Sequence, residues 1–183
     1  RESKLRPGWL LGLAAKAGVL TAIGALTRYA FGWAIIPVVV FLLLFSGPQR
    51  LRHMLAALLA FTLIMTPWII RNEAVSGTPF GTAGYAVVEG TYVFPQFQLE
   101  RSAQPELTHA MNLRPYSQKL FSNLRGLLTG DLMKSAGGWM YALFFAGLFI
   151  GFRSTGARRI RYFLLMCLGV FLVVQALGRT PLS

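Results

Sequence analysis

The chain has 183 residues, 55% of them hydrophobic, with 18 Lys and Arg against 6 Asp and Glu and a formal net charge of +12. Its one cysteine, Cys167, excludes an internal disulfide. In a soluble protein this charge would point to nucleic acid, but here the charges lie between apolar runs too long for a soluble core. The run from Val38 to Phe45 is apolar all round, which a surface helix in water does not sustain.

Five stretches read as membrane helices: 8–26, 29–45, 54–70, 135–152 and 162–177. At 1.5 Å rise per residue each covers roughly 24 to 28 Å, near the ~30 Å hydrocarbon core of a bilayer. The expected fold is all-α, a polytopic transmembrane helix bundle of about five spans forming one membrane domain over 1–183. Three spans fall in 8–70, a long external loop in 71–134 and two spans in 135–177. The chain opens Arg1-Glu2-Ser3-Lys4, without the residue order of a secretory signal, so insertion is expected to rest on the spans themselves. Both ends read as cut from a longer parent.

The basic residues give the expected orientation. Arg1, Lys4 and Arg6 precede the first span, Arg50 and Arg52 separate the second from the third, and Arg153, Arg158, Arg159 and Arg161 separate the last two. These segments alternate along the chain and so share one side, which the positive-inside rule makes cytoplasmic. Thr27-Arg28, the stretch 71–134 and the C-terminal residues fall on the other side. The long loop is also cationic, but loops above roughly 60 residues translocate largely regardless of charge. Trp9, Trp33, Trp68, Trp139 and Tyr162 sit near expected helix ends, where amphipathic rings favour headgroups. Gly8 with Gly12, and Gly147 with Gly151, form G-x-x-x-G pairs that let helices approach closely, which is evidence of packing and not of function.

The loop opens Thr66-Pro67-Trp68-Ile69-Ile70-Arg71-Asn72, followed by Ser76-Gly77-Thr78-Pro79-Phe80-Gly81-Thr82-Ala83-Gly84-Tyr85. Its Pro and Gly punctuation predicts a folded-back loop rather than a helix. No Gly-Lys-Ser/Thr follows these glycines, so they do not form a phosphate-cradling nucleotide motif. Leu113, Tyr116, Leu120, Leu124, Leu127 and Leu128 recur at helical spacing, with Lys119, Ser122 and Arg125 off the stripe. Pro115 suits a first turn and Gly130 a stop, so 115–129 reads as an amphipathic helix. It lies either on the outer membrane surface or on the protein's own outer surface.

The run Gly18-Val19-Leu20-Thr21-Ala22-Ile23-Gly24-Ala25-Leu26-Thr27-Arg28, an apolar helix carrying Pro37, a short basic turn and an apolar helix ending Thr-Pro-Trp-Ile-Ile-Arg-Asn follow in that order. This order resembles the middle of a polytopic glycosyltransferase of the GT-C fold, in the bacterial and archaeal set similar to protein mannosyltransferases and the lipid A aminoarabinose transferase. The Gly-Thr-Pro and Ala-Gly-Tyr turns after Asn72 resemble that family's external loop. The likeness covers roughly residues 18–90 well and the remainder by hydropathy alone.

The resemblance implies a multi-pass protein of a bacterial or archaeal plasma membrane that moves a sugar from a polyprenyl-phosphate carrier to an acceptor on the external face. The partners implied are the carrier-linked donor, a protein, lipid or glycan acceptor and membrane lipid, with no nucleic acid. Such enzymes use an acid in their first external loop. Thr27-Arg28 offers none, so that acid is expected upstream of Arg1 and this segment is expected to be inactive alone. Glu73 and Glu89 are accessory candidates. No cofactor is identifiable, and a divalent metal belongs, if anywhere, to the full-length parent.

For the donor, Arg28 stands at the external end of a helix, where a guanidinium could grip a phosphate through two hydrogen bonds. The resemblance implies that the basic residue at this position faces the carrier phosphate. An interfacial arginine on ordinary headgroups is the alternative. Arg71 and Asn72 could add a cation and an amide, or simply mark a helix stop with a snorkelling arginine. Tyr85 could stack on a sugar ring or pack on its neighbours.

Lys16 lies inside the first span, as a functional charge or as a lysine snorkelling to the interface. His53 and His109 lack metal-ligand spacing, so no metal residue is assigned, and nothing places Asp131, the sole aspartate, in a hydrolase set with them. A transporter or flippase of an anionic lipid or small anion is the alternative class, since basic helix ends and Gly/Pro-interrupted spans serve that role too. A membrane assembly subunit is a third.

Overall fold

The computed structural model describes residues 7–81, 83–91, 113–131, 139, 142–143, 146–147, 150–151 and 153–179. Its regular structure among these residues is helical. In chain order come α1 (Pro7–Thr27), α2 (Tyr29–Gly32), α3 (Ile35–Phe45), a 3-10 turn (Gly47–Gln49), α4 (Arg50–Ser76), α5 (Ala83–Val88), α6 (Leu113–Gly126), a π-helical turn (Leu127–Asp131) and α7 (Thr155–Gly178). The chain forms two compact units, Arg1–Arg71 with Phe163–Phe171, and Asn72–Tyr162 with Leu172–Ser183.

Three helices are long and apolar enough to cross a membrane, Gly8–Thr27, Gly47–Ser76 and Thr155–Gly178. The expectation of about five spans is thus met in three. The second stretch forms a shorter apolar helix over Tyr29–Phe45, interrupted at Trp33 and Ala34. The cause is Pro37, which is fully buried. Its missing N–H and its ring disfavour an α-helical bond back to Trp33. The chain tightens instead into i to i−3 bonds, Ala34 N–H to Phe31 O at 3.0 Å and Ile36 N–H to Trp33 O at 3.1 Å. The fourth stretch, 135–152, lies largely outside the described residues.

In the first unit α1 and α4 run parallel. Gly18 lies against Ala57, while further along Ala22 and Ala25 form a core with Met65, flanked by Phe61, Ile64, Trp68 and Ile69. The α2–α3 segment runs antiparallel to α7, with Phe31 on Phe171 at 5.9 Å and Phe41 on Phe163 at 5.3 Å between ring centroids. Alanines occupy the interior, Ala22 and Ala57 being fully buried, while Leu20, Leu59 and Leu63 are 69%, 62% and 72% exposed. In water that distribution would be inverted. In lipid, large apolar side chains face the acyl chains and small ones admit close backbone approach. Lys16 is exposed on the side of α1 away from Ala14, Gly18 and Ala22.

Where α4 ends differs from the sequence expectation. It is one helix of 27 residues with Pro67 inside it, roughly 40 Å long and so about 10 Å more than the hydrocarbon core. Arg71, Asn72 and Glu73 are helical, and the turn begins at Gly77. Gly77 and Gly81 take left-handed φ values of 65° and 57°, which glycine adopts without strain. Part of the expected loop is then helical, as α5.

The amphipathic helix expected at 115–129 is present as α6 and the π-helical turn after it. Its seating departs from the expected pattern. Pro115, Lys119, Asn123 and Leu127, spaced one turn apart, are its buried positions, and the leucine stripe beside them is half-buried.

Candidate functional site

Two cations mark one end of the first unit. Arg28 joins α1 to α2 in an extended conformation, φ −154° and ψ 121°. Its backbone is fixed on both sides, its N–H donating to Gly24 O at 3.0 Å and its carbonyl accepting from Phe31 N–H at 2.9 Å. The guanidinium is exposed. Tyr29, the next residue, meets Trp68 of α4 with ring centroids 4.9 Å apart and planes at 57°. Arg71, also exposed, follows Trp68 by three residues on the same helix. Arg28 and Arg71 therefore share one end of this unit, on either side of an aromatic brace. No described residue gives either guanidinium a hydrogen bond or an ion pair.

The remaining sequence candidates belong to the second unit. Asn72 is buried, and its side-chain N–H₂ has no hydrogen-bond partner among the described residues. It lies beneath the turn after α4, where a Cβ on Gly81 would sit 3.7 Å from the Asn72 amide carbon. Ser76 Oγ donates to Asn72 O at 2.7 Å, and Thr78 Oγ1 donates to Gly81 O at 3.1 Å, closing the turn with local bonds. Glu73 is exposed. Tyr85 and Glu89 are buried, 4% and 5% exposed, so neither is presented to solvent as an open ligand contact.

Sequence reasoning placed Lys119 off the apolar stripe of its helix and so missed what holds Glu89. Lys119 is buried, and its Nζ donates to the carbonyls of Ala86 at 2.8 Å, Val87 at 3.1 Å and Glu89 at 2.6 Å. The first two are terminal carbonyls of α5, which lack partners within the helix, and the third lies just beyond its end. Burial pushes the Lys119 amine down to about 8, against a smaller upward pull from the Glu89 carboxylate. One turn on, Asn123 Nδ2 donates to Ala176 O at 2.8 Å and Arg179 O at 2.7 Å, capping α7 in the same way. Nothing in the sequence signals these bonds, because the acceptors are backbone atoms 30 to 56 residues away.

His53, in the first turn of α4, is buried with Nε2 lacking a partner among the described residues. No group of three or more His, Cys, Asp or Glu among those residues could hold a metal ion. His109 lies outside the described residues, and the Asp131 side chain is likewise undescribed. No family model, no curated protein and no solved structure matches the chain.

Proposed function

We propose that this chain is the middle portion of a membrane glycosyltransferase that moves a sugar from a polyprenyl-phosphate carrier to an acceptor on the external face. One observation carries the reading beyond the sequence resemblance. Arg28 and Arg71 are exposed cations at one end of the first unit, with Tyr29 packed on Trp68 between them. As the acceptor's nucleophilic atom bonds to the anomeric carbon and loses its proton to a carboxylate base, the C–O bond to the carrier phosphate breaks and its electron pair goes to the phosphate oxygen. Preorganised guanidinium groups stabilise that charge most in the transition state, an effect worth about 3 kcal/mol for a well-placed donor. The carboxylate that takes the acceptor's proton is assigned to the parent's first external loop.

The interruption between α2 and α3 favours the second reading, a transporter or flippase of an anionic lipid, because broken helices line such pathways. Against it, the interruption falls close to Arg28 rather than midway along the segment.

The test uses the full-length parent in proteoliposomes, supplied with polyprenyl-phosphate sugars and a cell-envelope acceptor extract. Acceptor-dependent release of polyprenyl phosphate, lowered roughly 100-fold in Arg28→Ala and partly restored in Arg28→Lys, is the expected result. Wild-type affinity for polyprenyl phosphate in Arg28→Ala would remove the assignment. Movement of the lipid between leaflets without release would select transport.

A further inference from the structure

Around α6 and the π-helical turn after it the residues fall into four groups. The first, Pro115, Lys119, Asn123 and Leu127, is buried against protein. The second, Leu120, Leu124 and Leu128, is half-buried. Next around the helix come Arg114, Phe121 and Arg125, whose spacings of seven and four residues put them on one face. All three are exposed, Phe121 by 70%. Gln118, Ser122 and Thr129 complete the circle and are exposed.

Asn123 fixes the level of this helix. Its two bonds go to Ala176 O and Arg179 O, at the C-terminal end of α7. Thr155–Gly178 is one of the three helices long and apolar enough to cross a membrane. Its last carbonyls lie where hydrocarbon gives way to headgroups, since a spanning helix of this length ends there. A helix tied to those carbonyls is held at the same level. There an exposed phenylalanine between two arginines meets its own chemistry, with the ring toward the acyl boundary and guanidinium groups toward phosphates.

We infer that α6 is an in-plane membrane helix, docked on the end of α7 through Asn123 and presenting Arg114, Phe121 and Arg125 to the headgroups of anionic phospholipids. The two surfaces that the sequence left as alternatives, protein and lipid, are then both in use, on different faces. The inference rests on the membrane character of α7 and not on the glycosyltransferase reading.

The test places a nitroxide on Phe121→Cys, and separately on Leu128→Cys and Ser122→Cys, in full-length protein carrying Cys167→Ala and reconstituted in phosphatidylglycerol or phosphatidylcholine vesicles. Collision with oxygen and with a water-soluble nickel chelate reports the depth of each label. Labels at 121 and 128 are expected to favour oxygen and the label at 122 the chelate. Arg114→Gln with Arg125→Gln is expected to shift the label at 121 toward water in phosphatidylglycerol and leave it unchanged in phosphatidylcholine. Chelate access at 121 and 128 equal to that at 122 would overturn the inference, as would shielding of 121 and 128 from both reagents, which would mean a protein cover. A double variant that behaves identically in the two lipids would overturn the anionic assignment. Leu128 keeps the test decisive if the label at 121 prevents folding.

Discussion

Lys119 shows how a single buried cation ties a loop together and makes it sensitive to pH. A lysine amine has three hydrogens, and here each has a carbonyl at the end of α5. The bonds satisfy acceptors that would otherwise be buried without partners, while burial opposes the charge. In the unfolded chain the amine holds its proton up to 10.5, and in the folded one only up to about 8. Between those values the unfolded state binds the extra proton, so the contribution of this group to stability increases as pH rises through 8 and levels off near 10.5. Amide exchange in α5, corrected for its intrinsic pH dependence, is expected to slow across that window, and Lys119→Met is expected to flatten the response. Exchange that quickens over the same window would contradict the assigned direction. Because the Glu89 carboxylate pulls the other way, Glu89→Gln should lower the onset further.

The contact between α1 and α4 sets how close two elements can come. A Cβ on Gly18 would collide with the Ala57 carbonyl, meeting its carbon at 2.9 Å, whereas one on Gly12 meets nothing within 4 Å. The obstacle at Gly18 is backbone, so a rotamer change cannot relieve it. Gly18→Ala is therefore expected to destabilise the helix pair by about 1–3 kcal/mol, the range of overpacked cores, with Gly12→Ala as a neutral control. Unfolding by SDS in mixed micelles checks both, and equal midpoints would refute the close crossing. Elements of this kind were legible in the sequence only where hydropathy speaks. The central parts of α1, α4 and α7 follow from apolar length. The end of α4 does not, because Arg71, Asn72 and Glu73 end the apolar run and not the helix. Pro67 reads as a terminator, yet the helix continues through it. Arg28 was legible as a cation closing an apolar run. Asn123 was not, since a polar residue on a surface helix is read by default as solvated, and its acceptors become visible only when α7 ends beside it.

At the scale of the molecule, the open issue is whether the chain between α1 and α4 crosses the bilayer. The Tyr29–Phe45 segment covers roughly 26 Å if helical throughout, just short of the ~30 Å hydrocarbon core, and it is interrupted. A re-entrant hairpin would satisfy hydropathy equally well. The ring contacts favour a continuous course along α7. Phe31 and Phe41 meet α7 at Phe171 and Phe163, so the segment runs along nine residues of that helix, antiparallel and without turning back. The parallel pairing of α1 with α4 fits the same course, since the chain returns along their length before α4 begins. Thr27 and Ile70 then share one end of the first unit and Gln49 lies at the other. Sealed, right-side-out vesicles carrying Cys167→Ala with Thr27→Cys, Ile70→Cys or Gln49→Cys should show this on treatment with an impermeant maleimide. The first two are expected to label from outside, and Gln49→Cys only after permeabilisation, the outcome that the positive-inside rule predicts for the segment carrying Arg50 and Arg52. Labelling of Thr27→Cys and Gln49→Cys from the same side would make the α2–α3 segment a hairpin, and with it the shared end of Arg28 and Arg71 would lose its basis.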